Sequence, residues 1–327
     1  MKQNFRLKII IFLLVLNIIS IGYIGFRPRQ PLQNPQILKN KKNLNTVLVQ
    51  ASAYSLINRE SQSGIDLEKI IKPLKHETQS AGDFLEINNP QITAKSAIVK
   101  DITTGKILFE KNTHEQLPIA SLTKIMTGLV VLENENTNPV KITKQAIAEQ
   151  GQAGDLILGE KIAMHDLLEI MLITSSNDAA QAFNDFLPDL VELMNNKARK
   201  ISLKNTFFTD TSGLDPGNVA TAHDLINLVE YSFDSKLWKI LSNKEKTVYS
   251  LDKKFIHNLK NTNQLLGQMP SVISGKTGYT SEAGQTLIIL AKAPNKDNLV
   301  SIVLGSEDRF YETQKLLEWC FENYNYE

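Results

Sequence analysis

Apolar residues recur along this chain at different periods, and the changes of period mark out its elements. Residues 9–26, IIIFLLVLNIISIGYIGF, form an unbroken uncharged run. At about 1.5 Å rise per residue, a helix of that length nearly crosses a hydrocarbon layer of about 30 Å. From residue 27 to about 89 the pattern dissolves: Pro28, Pro31 and Pro35 lead to Lys39, Lys41 and Lys42, then to a polar stretch with short apolar pieces around Val47 and Ile70. This composition predicts a tether with one short helix over 67–74.

Beyond residue 90 the periods tighten. Residues 96–110, SAIVKDITTGKILFE, are β-branched runs divided by Thr103, Thr104 and Gly105, which predicts a hairpin. In SLTKIMTGLVVLENE, Ile125, Met126, Leu129, Val130 and Leu132 recur near 3.6 residues, predicting a helix that Ser121 opens. Further helices are predicted over 164–173, 178–197 and 222–231. Strands follow over 271–279, 285–292 and 299–305, then a last helix over 311–323 carrying Leu316, Leu317 and Trp319. A strand pair, many helices, three strands and a helix spell an α+β fold: an antiparallel sheet built from both ends of the domain, with a helical insertion between.

Charge changes this picture at one point. The 327 residues hold 36 Lys+Arg and 35 Asp+Glu, a net +1 that argues against a nucleic-acid binder. The signs are nevertheless segregated: no acidic residue precedes Glu60, so residues 1–59 carry +9 and the remainder −8. The uncharged run at 9–26 follows Lys2, Arg6 and Lys8 in this basic segment, which predicts a transmembrane signal anchor, a cleaved signal peptide with Ser20 and Gly22 before the cut being the alternative. Apolar sequence continuing past Gly22 favours the anchor. One cysteine, Cys320, excludes an intramolecular disulfide and a multi-thiolate metal site. The five histidines lack ligand spacing, so no metal is expected.

Three short motifs carry chemistry. In Ser121-Leu122-Thr123-Lys124, residues three apart on a helix share a face, so the lysine amine can take the proton that makes the serine hydroxyl a nucleophile. Ser250-Leu251-Asp252-Lys253 has the same spacing but sits in a charged, strand-like stretch and is read as a coincidence. Ser175-Ser176-Asn177 follows an apolar stretch and precedes a helix, and by itself would be a helix cap. Lys276-Thr277-Gly278 lies on a predicted strand. In the order S-x-x-K, S-x-N, K-T-G they form the signature of active-site serine penicillin-recognising enzymes.

Residues 90–319 resemble the D-alanyl-D-alanine carboxypeptidases among the low-molecular-mass penicillin-binding proteins, peptidase family S11. The resemblance runs through AKSAIVKDITTGKILFEKN, LPIASLTKIMT, LGEKIAMHDLLEIMLITSSNDAA, SGLDP, TAHDL, NTNQLL, SGKTGYTSEAG, LGSEDRF and LLEW. It implies a fold like the serine β-lactamases, an antiparallel sheet flanked by helices with an all-helical lobe, and makes 90–327 the catalytic domain. It implies Ser121 as acylated nucleophile, Lys124 as proton acceptor, Ser175 as relay to the leaving D-alanine and Asn177 as holder of the substrate amide. Lys276, Thr277 and Gly278 would serve the terminal carboxylate region, Tyr279 and Ser121 would donate backbone N–H groups to the oxyanion, and Arg309 would make a second carboxylate contact. No cofactor is implied. The implied partners are peptidoglycan stem peptides and acylating β-lactams. The implied location is a bacterial membrane, with the domain on its outer side. The chain stops eight residues after Trp319, where many of the family continue into a β-rich domain and C-terminal anchor, and this favours an anchor at the N-terminus.

Competing readings share these motifs. A class A β-lactamase needs a glutamate after the second motif, and Glu192, in an apolar-periodic helix, is the only candidate. A DD-endopeptidase acting on cross-links would need the same residues. A scaffold that kept the fold without the activity would not be expected to keep all three motifs. On the physical side, Lys124 needs a lowered pKa to act as base, which partial burial and the like charge of Lys276 are expected to supply.

Overall fold

The computed structural model describes residues 89–134, 138–151 and 153–324. The chain divides into two compact units, Met1–Leu85 and Glu86–Glu327, and the described residues belong to the second. The basic segment 1–8, the apolar run 9–26 and, apart from residue 89, the tether 27–89 with its short helix lie outside them. No described helix is long and apolar enough to cross a membrane.

The 96–110 sequence forms the expected hairpin of β1 (Ser96–Asp101) and β2 (Ile107–Lys111). Asp101 closes it, its Oδ1 accepting the N–H groups of Thr103 and Thr104 and its carbonyl that of Gly105. Four two-residue strands follow, β3 (Leu117–Pro118), β4 (Val140–Lys141), β5 (Lys161–Ile162) and β6 (Val219–Ala220), pairing β3 with β6 and β4 with β5. A separate hairpin joins β7 (Glu245–Tyr249) to β8 (Ile256–Lys260). The last three strands are β9 (Val272–Thr280), β10 (Gly284–Lys292) and β11 (Asn298–Ser306). The main sheet is antiparallel in the order β2-β1-β11-β10-β9, so β11 returns beside β1, with Ile98 opposite Ile302.

The helices are α1 (Thr123–Glu133), α2 (Met164–Ile173), α3 (Asn177–Phe186), α4 (Leu190–Lys200), α5 (Ala222–Ser232), α6 (Lys236–Leu241) and α7 (Arg309–Asn323). Alternation along the strands decides what each packs against. Ile98, Ile288, Leu290, Val300, Ile302 and Leu304 join one core cluster with the helical lobe. Ala97, Val99, Leu287, Ile289, Leu299 and Val303 join a second with Leu316, Leu317 and Cys320 of α7. The sheet is therefore buried on both faces, and β9, with a neighbour only in β10, is left as an edge beside the lobe.

Two sequence expectations are corrected. The helix predicted over 178–197 is two helices, because Pro188 removes an N–H and drives Leu187 out of helical geometry, while Asp189 turns the chain at φ 64°. The Ser250 to Lys253 stretch is not strand-like but the turn of the β7–β8 hairpin, with Ser250 Oγ donating to Asp252 Oδ1 at 2.8 Å and Lys253 at φ 58°.

Candidate active site

Ser121 stands on a 3-10 turn, Ala120–Leu122, immediately before α1 and not on the helix it was expected to open. Ala120 is held at φ 48°, a conformation that an L-residue adopts only when its surroundings impose it. Two glycines do so. A Cβ on Gly213, itself at φ +87°, would lie 1.9 Å from the Ala120 carbonyl oxygen; one on Gly278 would lie 3.0 Å from the Ser121 nitrogen. The turn bearing the hydroxyl is thus wedged between a glycine turn and the edge strand β9.

Lys124 is completely buried on α1, a helix buried almost all round. Its Nζ lies 3.1 Å from Ser121 Oγ, 2.7 Å from Asn177 Oδ1 and 2.6 Å from the Ser212 carbonyl. A charged ammonium satisfies all three by donation. A neutral amine donates to the two shorter contacts and turns its lone pair to the Ser121 hydroxyl. Burial lowers the Lys124 pKa to about 7, against the opposing charges of Asp210 and Glu149, which raise it. The expected cause is corrected in two respects: burial is total, and the repulsion between the lysines registers at Lys276.

The second motif is shaped by its middle residue. Ser176 caps α3, its Oγ accepting the Ala179 N–H at 3.0 Å, so the cap reading and the chemical one both hold. Capping fixes Asn177 as the first residue of the helix, where its Nδ2 donates to the Gln150 carbonyl at 2.7 Å while Oδ1 faces Lys124. Ser175, ahead of the cap, is at φ 63°.

Lys276 reaches across from β9. Its Nζ donates to Ser175 Oγ at 2.6 Å and to the Thr277 carbonyl at 2.8 Å. Burial pushes its pKa well down, and the charges of Lys124 and Arg309 push the same way. The charge of Arg309 favours an arriving carboxylate, which would in turn favour the protonated form of Lys276. Arg309, at the start of α7, donates Nη1 to the Gly278 carbonyl at 2.7 Å, and burial lowers its pKa despite Asp308. The Thr277 hydroxyl pairs with that of Thr262 at 2.6 Å. Tyr279 follows on the strand with its side chain exposed.

The folded chain thus forms two hydrogen-bonded sets, Ser121, Lys124 and Asn177 in one and Ser175, Lys276 and Thr277 in the other, close enough for the two lysines to act on each other's charge, with Gly278 and Arg309 against them. Sequence reasoning missed the carbonyls of Ser212 and Gln150, and Asp210, which organises the turn at 212–215. Asp210 accepts the N–H groups of Ser212, Gly213 and Asp215 and the Ser212 hydroxyl. The one available signal was that Ser212, Gly213 and Thr262 fall within the SGLDP and NTNQLL segments, to which no role had been given.

Residues 84–308 match the peptidase S11 family, described as D-alanyl-D-alanine carboxypeptidase. The D-alanyl-D-alanine carboxypeptidase DacF of Bacillus subtilis is 34% identical over 251 residues, covering 71% of this chain and 63% of its own. DacD of Escherichia coli is 33% identical over 72% of this chain and 65% of its own, so this chain spans somewhat under two thirds of the length of these two relatives. A D-alanyl-D-alanine endopeptidase of Pseudomonas aeruginosa is 31% identical, covering 70% of this chain and 77% of its own. Among solved structures, a Streptomyces DD-transpeptidase superposes with a TM-score of 0.67 at 27% identity, over 71% of this chain and 98% of that one.

Proposed function

The chain belongs to peptidase family S11, the D-alanyl-D-alanine carboxypeptidases, and from that premise we propose that it is a serine hydrolase that removes the terminal D-alanine from peptidoglycan stem peptides. The observation that carries this reading is the buried Lys124 amine within hydrogen-bond reach of Ser121 Oγ, poised near pKa 7.

The steps follow from the placement of the groups. An extended peptide lies along the open edge of β9, where strand addition supplies main-chain hydrogen bonds. Its carboxylate meets Lys276 and Thr277, with Arg309 behind Gly278, and Asn177 holds its amide. Neutral Lys124 takes the Ser121 proton as Oγ bonds to the penultimate D-alanine's carbonyl carbon, and the N–H groups of Ser121 and Tyr279 receive the oxyanion. The C–N bond breaks as a proton passes through Ser175, beside Lys276, to the departing nitrogen. Water then adds to the ester, its proton returning through Lys124 to Ser121 as the shortened peptide leaves. A β-lactam, which carries the same acyl and carboxylate pattern, acylates Ser121 by the first of these steps.

The test is labelled penicillin and peptide mass spectrometry on the full chain. A long-lived adduct on Ser121, with D-alanine released from a stem pentapeptide, supports the reading; no adduct on Ser121 defeats it. Steady penicillin hydrolysis would instead indicate a β-lactamase, but Glu192, the base that reading requires, is exposed on α4. For location, the apolar run at 9–26 after three basic residues supports an anchor that holds the domain at the outer face of a bacterial membrane. The basic residues up to 59 would favour contact with anionic lipid or wall polymer.

A further inference from the structure

Among the described residues, five of the ten large apolar side chains left exposed gather around the turn of the β7–β8 hairpin: Ile157, Leu158, Tyr249, Leu251 and Ile256. Tyr249 and Ile256 face each other as the last pair before the turn, and Leu251 stands on the turn itself, 53% exposed. Strand alternation puts Tyr249 and Ile256 on the side away from the buried Val248 and His257. The hairpin is a sheet of its own, paired with no other strand. The loop that carries Ile157 and Leu158 is pinned beside it. Leu251 N–H donates to the Lys161 carbonyl at 2.8 Å, and His257 bonds to the Gly154 carbonyl and to Glu160.

The turn is built to hold this arrangement. Ser250 Oγ donates to Asp252 Oδ1 and accepts the Phe255 N–H at 3.0 Å, while the Ser250 carbonyl accepts the Lys253 N–H at 2.8 Å. Basic side chains surround the apolar ones. Lys161 lies opposite Lys141 in the β4–β5 pair; both are exposed, and neither makes an ion pair among the described residues. Like charges directly opposite each other destabilise a strand pair, a cost that a bound anion relieves. Lys253 and Lys254 extend the basic character along the turn. Lys254 is held by Asp252 at 3.1 Å, and Asp155 is the other exposed acidic residue in the segments 155–161 and 249–256.

We propose that this end of the domain rests on the surface of an anionic lipid bilayer: Leu251, Leu158 and Ile256 enter the headgroup boundary, and Lys141, Lys161 and Lys253 pair with lipid phosphates. Tyr249 suits the same depth, with an apolar ring and a polar hydroxyl. Lysine stems lie along apolar surface while their ammonium groups reach charge. The lysines select anionic lipid, and the aliphatic side chains select a bilayer over a soluble anionic polymer. Such a polymer would pair with the lysines but leave Leu251 and Ile256 in water. The contact belongs to the surface of the domain itself, so it stands apart from the anchor at 9–26 and from the hydrolase reading.

The test uses the purified full chain with an environment-sensitive fluorophore on one introduced cysteine, Leu251→Cys or, as a control, Thr104→Cys at the exposed β1–β2 turn; Cys320 is buried. Each is combined with vesicles of phosphatidylcholine alone or of phosphatidylcholine with phosphatidylglycerol. The label at 251 is expected to shift to the blue and brighten on the anionic vesicles, less on the neutral ones, and the label at 104 on neither. Adding Lys141→Gln with Lys161→Gln should weaken the contact by roughly 10- to 25-fold, at about fivefold per lysine near the surface, and high salt should weaken it likewise. Leu158→Ser with Ile256→Ser should weaken it in a salt-insensitive way, with melting temperatures confirming that the variants are folded. A label at 251 that stays in water, an equal response at 104, or a response that ignores the lysine substitutions overturns the assignment. So does an equal response to soluble polyglycerol phosphate, which would give the patch to an anionic polymer. A response that grows with protein concentration in the absence of lipid would give it to a second copy of the chain and overturns the assignment too.

Discussion

The amine of Lys124 lies 3.1 Å from the hydroxyl of Ser121, and no part of the lysine is exposed to solvent. In water this amine would be almost wholly protonated near neutral pH; here burial brings its pKa to about 7. The base form is the one present above that value. Acylation by labelled penicillin is expected to rise with pH through about 7 and level off. Lys124→Arg, which keeps charge but loses basicity, should slow it by about 10²–10⁴-fold. A pH-independent rate, or an arginine variant that acylates normally, would remove Lys124 as the base.

Asn177 joins Lys124 to the Gln150 carbonyl, so its loss strands partners at both ends. Asn177→Ala is expected to destabilise the domain by about 1–3 kcal/mol and to slow acylation more than that loss of folded protein explains. Urea unfolding and acylation kinetics on the same preparation separate the two effects. A variant that is less stable but acylates at the wild-type rate would assign Asn177 a structural role alone.

Gly213→Ala should be among the most damaging single-methyl changes in the domain. The new Cβ would meet backbone, the Ala120 carbonyl, at 1.9 Å, and the position has φ +87°. The turn carrying Ser121 has to move, and a loss of about 3 kcal/mol or more, with acylation largely gone, is expected. Thermal melting within a degree or two of wild type would contradict the packing described.

A pH-dependent staple holds the loop that carries Gln150. His257, buried on β8, places Nε2 3.0 Å from Glu160 Oε2 and Nδ1 2.9 Å from the Gly154 carbonyl. The bond to Glu160 raises its pKa above the usual 6.5 against the effect of burial, with Asp155 adding to the rise. The stabilisation from the protonated pair is complete below the unfolded value and is lost as pH climbs through the raised one. Compared with a His257→Gln, Glu160→Gln double variant, the wild type should show a Tm advantage that narrows as pH rises through neutrality. An advantage that widens over that range would contradict the assignment.

The anchor can be tested without touching the catalytic domain. Leu14→Arg with Ile18→Arg puts two charges into the run at 9–26, each costing about 2.5–3.5 kcal/mol at the centre of a membrane helix. The doubly substituted chain is expected to leave the membrane fraction, and unchanged fractionation would rule the segment out as the anchor.

Ser121 and Lys124, proposed as nucleophile and base, were legible as a pair because residues three apart come close on any helical turn. The strands at 272–306 were legible because a sheet buried on both faces requires long apolar runs. The break at Pro188 was passed over because apolar periodicity continues through it, although the ring forbids the helix to do so. Glu149 and Asp210 also went unassigned, since a carboxylate's effect on Lys124 depends on a proximity that sequence separation does not encode.

By itself the sequence determined the fold class and the family, and it named the side chains proposed to carry the chemistry, since those depend on residue type and short-range order. Only the tertiary structure decided that Lys124 is wholly buried and bonded to the carbonyl of Ser212, 88 residues away, and that Gly213 and Gly278 hold the Ser121 turn. Carbonyl groups are the same in every residue and burial is a property of the assembled lobe, so neither leaves a mark on the chain until it folds.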